Sequence, residues 1–109
     1  MDTKQFVACW KAEKDCLVEA FTKPTSSTQV ATAIAELKLS LEQTQQLRTI
    51  LDIALTDAFY TLLLGLDGAA SIGGIQQQYS IRDENGMIVA TPGALEQAAY
   101  EAFHGKHEP

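Results

Sequence analysis

The longest periodic stretch of the sequence reads LEQTQQLRTILDIALTDAFYTLLL and runs from Leu41 to Leu64. Its first half separates apolar from polar residues at the 3.6-residue period of a helix. The apolar face consists of Leu47, Ile50, Leu51, Ala54 and Ala58, and the polar face consists of Arg48, Thr49, Asp52 and Thr56. The stretch is therefore predicted to be an amphipathic helix, the longest of the chain.

The end of this helix has a different pattern, because apolar residues surround its axis. They are Phe59, Tyr60, Leu62, Leu63, Leu64 and Leu66. A helix that is apolar all round is buried on all sides, which places this segment in the centre of the core or of a subunit interface. Gly65 and the pair Asp67-Gly68 are expected to end the helix.

Two helices are predicted before it, over about Thr3–Phe21 and Thr28–Leu39. The first ends at Lys23-Pro24, because the residue before a proline avoids the helical region. Ser40, with glutamine at position 43, forms a capping box, which predicts a junction between two helices. One continuous bent helix is the alternative.

Beyond a small-residue loop over 69–74, the period changes from 3.6 to 2, which is typical of a strand. One side of the predicted strand consists of Ile75, Gln77, Tyr79 and Ile81, and the other of Gln76, Gln78, Ser80 and Arg82. Asp83–Gly86 has the composition of a turn, and Met87–Ala90 supplies the second strand. The free edges of such a hairpin invite pairing with another chain.

Thr91-Pro92 then opens a last helix, with threonine as the N-cap. Its apolar face is made of Leu95, Ala98, Ala99 and Phe103. The expected architecture is one α+β, mainly α domain over residues 1–109: three N-terminal helices, a β-hairpin and a C-terminal helix.

Composition limits the classes of function. The chain of 109 residues is 46% hydrophobic and has a net charge of −6, which argues against binding to nucleic acid or to anionic membranes. After Ala54, two basic residues stand against seven acidic ones, a net charge of −5. No apolar run reaches the roughly 20 residues of a membrane span, and we expect a cytoplasmic protein. Cys9 and Cys16 lie too far apart on a helix for a disulfide and are expected to be reduced, packed thiols.

Isolated residues suggest chemistry only weakly. The glycines of 68–74 resemble a phosphate loop but lack the lysine that should follow. Glu13, inside an apolar stripe, is either a proton-transfer group or, more often in proteins, a residue at the edge of the stripe or the partner of Lys14, Lys38 or Arg48. His104 and His107 lie one turn apart but are typical of a solvated C-terminus. No catalytic, cofactor-binding or metal-ligating residue is predicted.

The sequence therefore favours a small acidic protein without catalytic activity, similar in kind to an immunity protein, an antitoxin or an adaptor, that binds a basic protein. The residues expected to contact that partner are Asp67, Gln76, Gln78, Asp83 and Glu84. A structural or regulatory homodimer is the first alternative. A small ligand-binding domain or enzyme is the second.

Overall fold

The computed structural model describes residues 1–105 and has the predicted α+β, mainly α architecture. Its elements are α1 (Thr3–Thr22), α2 (Gln29–Glu36), α3 (Leu41–Leu66), β1 (Ile81–Arg82), β2 (Ile88–Ala90) and α4 (Ala94–His104). The strands form a two-stranded antiparallel sheet. The predicted order of three helices, a hairpin and a final helix is confirmed.

Local capping signals set the starts of α1 and α3. Asp2 and Ser40 each accept a hydrogen bond from the backbone N–H three residues later, and the glutamine at that position accepts one in return. The predicted capping box at Ser40 is therefore confirmed. Lys38, at φ 54°, interrupts the helical backbone, so α2 and α3 are two helices rather than one bent helix. α2 ends at Glu36, three residues earlier than predicted.

α1 and α3 pack against each other along their length. The ring of Trp10 meets Phe59 edge-on at 5.7 Å between centroids, and Arg48 pairs with Glu19 at 3.0 Å. The first half of α1 thus contacts the second half of α3, and the second half of α1 contacts the first half of α3. The two helices are therefore antiparallel. α4 packs on both of them at the end where α1 begins and α3 finishes.

The core lies at that end of the molecule. Its buried residues are Val7, Leu63, Ala90, Leu95, Ala99 and Phe103. The molecule measures 46 × 33 × 29 Å and its radius of gyration is 16.4 Å, whereas a compact domain of this length has about 13 Å. The other end, built from α2 and the adjoining halves of α1 and α3, is therefore thin and leaves much side-chain surface exposed.

The second half of α3 is not buried on all sides, which corrects the prediction. Leu63 is 0% exposed, but its neighbour Leu62 is 44% exposed and Thr61 is exposed too. Gly65 is buried because Ile72 packs onto it; a Cβ at position 65 would collide with the Ile72 side chain. Helices and loops therefore cover only one side of this segment.

The hairpin is shorter than predicted. Residues 75–80 form no strand apart from one bridge between Ile72 and Ile75. Ile75 and Gln77 are exposed, whereas Tyr79 and Ile81 are half-buried, so the alternating pattern marks a covered face only in its second part. The physical reason is that β2 pairs with β1 only over Ile81–Arg82. Without a paired strand, residues 75–80 lack the ladder of hydrogen bonds that makes an extended segment a strand.

The sheet is attached to the start of α1. Val89 and Ala90 are buried, and the Thr3 hydroxyl donates a hydrogen bond to the Val89 carbonyl oxygen at 2.7 Å. One part of the β2 edge is thus covered by α1, which reduces the free edge expected from the sequence.

Two further predictions are wrong in detail. α4 begins at Ala94, and its N-cap is Gly93, in the left-handed region at φ 92°, rather than Thr91. Cys9 and Cys16 are free, as predicted, but both are exposed rather than packed.

Candidate functional site

The most unusual surface of the molecule is the side of α3 that points away from the core. At 100° per residue this side lies opposite the buried Leu63. We call it the outer face; it consists of Ile50, Leu51, Ala54, Ala58, Thr61 and Leu62. Ile50 is 59% exposed, both alanines and Thr61 are exposed, and Leu51 is half-buried. The apolar face of the amphipathic pattern is thus turned largely to solvent.

The predicted polar face of α3 is turned inward instead, toward α1. Asp52 accepts a hydrogen bond from Nζ of Lys14, and Arg48 pairs with Glu19 and also donates to the Thr22 hydroxyl at 2.9 Å. Helices of globular proteins normally turn the apolar side to the core. In this part of α3 the orientation is reversed, and ion pairs face α1.

Lys14 is the centre of this ion-pair cluster. It is 3% exposed, and its Nζ lies 2.7 Å from Asp15 and within hydrogen-bond distance of Asp52. Burial lowers the pKa of Lys14, but the hydrogen bonds and charges of the two carboxylates outweigh burial, so the pKa is raised above 10.5. Hydrogen bonds from Lys11 and Lys14 lower the pKa of Asp15 below 3.8. Both shifts favour the charged forms of Lys14 and Asp15 at neutral pH.

Glu13 does not belong to this cluster. Glu13 is exposed, and among residues 1–105 it forms none of the ion pairs; its neighbours on α1, Lys11 and Lys14, pair with Asp15 instead. The pairing of Lys14 with Asp52 could not be predicted from the sequence, because the two residues are 38 positions apart and belong to different helices.

An open apolar groove of about 580 Å³ runs between α1 and α3. It is lined by Met1, Phe6, Cys9, Trp10, Glu13 and Phe59. Phe59 lies three residues before Leu62, the spacing at which helical side chains are neighbours. The groove therefore adjoins the outer face, and Glu13 is its one charged lining residue.

Asp67 has a structural role that the sequence did not indicate. It is 3% exposed, and its carboxylate accepts hydrogen bonds from the backbone N–H groups of Gly93 (2.8 Å), Leu95 (2.9 Å) and Glu96 (3.2 Å). Asp67, at the end of α3, thus caps the N-terminus of α4 and also provides a negative charge where the helix dipole is positive. We therefore remove Asp67 from the set of partner-binding residues.

The other four predicted partner-binding residues are exposed. Gln76 donates from Nε2 to the Gly68 carbonyl oxygen at 2.9 Å. Asp83 accepts from the N–H groups of Asn85 and Met87, which shapes the hairpin turn. In the described part of the chain, Gln78 and Glu84 make no side-chain hydrogen bond. Of the four residues, these two therefore have side chains whose polar groups are open to solvent.

Metal-binding residues are not brought together within residues 1–105, where no group of three His, Cys, Asp or Glu side chains has ligand geometry. The ring of His104 packs edge-on against Tyr60 at 4.6 Å between centroids. His107, the other histidine considered from the sequence, lies outside the described residues.

Within residues 1–105 one helix, α3, is long and apolar enough to cross a membrane by length and composition. In its most apolar stretch of 18 residues, 11% of the residues are buried. Four charged residues, Glu42, Arg48, Asp52 and Asp57, lie within α3, and the bilayer core disfavours charged side chains. The low burial agrees with an outer face that is open to solvent.

No protein-family model, curated protein or solved structure matches this chain.

Proposed function

We propose that the protein is an interaction module that acts by binding another protein through the outer face of α3. The observation that carries the proposal is the reversed orientation of this helix, with ion pairs toward α1 and apolar residues toward solvent. Exposed apolar surface is costly in water, and contiguous patches of it mark binding sites. The adjoining groove, with Trp10 and Phe59, adds aromatic surface of the kind that dominates binding energy at interfaces.

The test compares proteins captured from a lysate of the source cells by the wild type and by Leu62→Asp, using quantitative mass spectrometry. A charge in an apolar interface should reduce the captured partner at least about tenfold. Ile75→Asp is the matched control, because Ile75 is 64% exposed and lies outside α3. A set of captured proteins that is identical for all three baits would contradict the proposal.

The hairpin end provides a second candidate surface, for a basic protein. Gln76, Gln78, Asp83 and Glu84 are exposed there, and most of the net negative charge belongs to the half of the chain that contains them. A basic partner would be attracted over a distance, so that its association rate depends on charge.

Glu84→Lys should slow the association of such a partner several-fold at low salt, and raising the salt to physiological strength should remove most of the difference. Asp83 is left unchanged because it shapes the turn. Glu36→Lys, the same charge reversal at the exposed end of α2, serves as the control. The basic-partner idea fails if stopped-flow rates are the same for both variants and independent of salt.

A further inference from the structure

We infer that the occupant of the outer face is a second copy of this chain, paired antiparallel through α3. The inference rests on the proposed function, since it names the partner of that same surface. It is carried by the exposed area of the molecule, by the sizes of the residues along the outer face and by the direction of the helix dipole.

The molecule exposes more area than a compact monomer of its size. The chain exposes 7361 Å², whereas a monomer of 11.8 kDa exposes about 5,900 Å². The excess of about 1,450 Å² exceeds the roughly 800 Å² that each partner contributes to a standard interface.

Together with the half-buried Leu47, which lies on the same side of α3, the outer face has the spacing of a helix–helix seam. Leu47, Leu51, Ala54, Ala58 and Leu62 follow one another at steps of four, three, four and four residues, close to the alternation of three and four that pairs helices. The two alanines occupy the middle. Small residues there let two helix axes approach to about 8 Å, the short end of the usual range.

The seam is complementary to itself in the antiparallel direction. With a twofold axis at the level of Thr56, Ala54 lies opposite the partner's Ala58. Leu51 then meets the partner's Thr61, and Ile50 meets the partner's Leu62. Ile50 and Leu51, before the alanines, are thus matched with residues after them, which is what an isologous interface requires.

The helix dipoles favour the same direction. An antiparallel pair places the negative C-terminal end of each α3 beside the positive N-terminal end of its partner, whereas a parallel pair brings like ends together.

The first experiment measures mass by light scattering after size exclusion at high micromolar concentration. We expect twice 11.8 kDa for the wild type and for Ile75→Asp. Leu62→Asp should raise the dissociation constant at least about 30-fold, the effect of an interface hot spot. Ile50→Asp, at a more exposed position, replaces Leu62→Asp if that variant does not fold by circular dichroism. A wild-type monomer overturns the inference.

The second experiment tests the direction by disulfide crosslinking, in a background where Cys9 and Cys16 are serine. A mixture of Ala54→Cys and Ala58→Cys chains should form the mixed disulfide, because those positions are opposite each other. Ala54→Cys alone should not crosslink, since its two copies lie four residues apart along the seam and beyond the reach of a disulfide. Efficient self-crosslinking of Ala54→Cys means a parallel pair and overturns the inference.

The outcomes separate the two proposals. A monomeric wild type that captures a different protein, in a way that Leu62→Asp abolishes, supports the interaction module and overturns the second copy as occupant. Flotation with phosphatidylcholine vesicles that depends on Leu62 makes lipid the occupant and overturns both.

Discussion

Replacing Asp67 by alanine should lower the free energy of unfolding by about 2–4 kcal/mol. The estimate combines the loss of a helix cap, typically about 1 kcal/mol, with the cost of leaving buried N–H groups without an acceptor, about 1–3 kcal/mol. The Leu95 N–H is buried and has the Asp67 carboxylate as its partner at 2.9 Å. Urea unfolding followed by circular dichroism measures the change.

Two further variants make this test specific. Asp67→Asn keeps an oxygen that can accept from Gly93 and Leu95 but loses the charge at the helix N-terminus, so it should cost about 1 kcal/mol. Asp57→Ala removes an exposed carboxylate from the same helix and should change stability by less than about 0.5 kcal/mol. Equal losses for Asp67→Ala and Asp57→Ala would show that the cap does not stabilise α4.

Leu63→Ala should cost about 2–5 kcal/mol, because Leu63 is 0% exposed and belongs to the core cluster. The matched control is Leu41→Ala, the same substitution on the same helix at a position that is 77% exposed. We expect less than about 1 kcal/mol there, from the same urea measurement. A loss below about 1 kcal/mol for Leu63→Ala would mean that the core lies elsewhere.

The helices could be predicted because their signals are local. Ser40 and its glutamine three residues later form the capping box without help from the rest of the chain, and the predicted start of α3 at Leu41 is therefore correct. The fold class follows from such signals as well, since four helical patterns and one short turn between apolar runs leave few alternatives.

The site could be predicted less well because it depends on contacts between distant residues. The amphipathic pattern of α3 identified its two faces but not which of them faces α1. That orientation depends on Lys14 and Arg48 finding Asp52 and Glu19 on the opposite helix. Likewise Asp67 looked like a loop residue, because the N–H groups it caps are 26 to 29 residues further along.

The cap at Asp67 also holds together the two ends of the segment over 68–92, because it joins the end of α3 to the start of α4. A loop whose two ends are fastened together can change length without moving the elements on either side, and the entropic cost of lengthening it rises only slowly. The exposed hairpin tip at Glu84 and Asn85 is thus the part of this chain where added residues should be best tolerated. A peptide tag or a short reporter inserted there would leave α1, α3 and α4 in place.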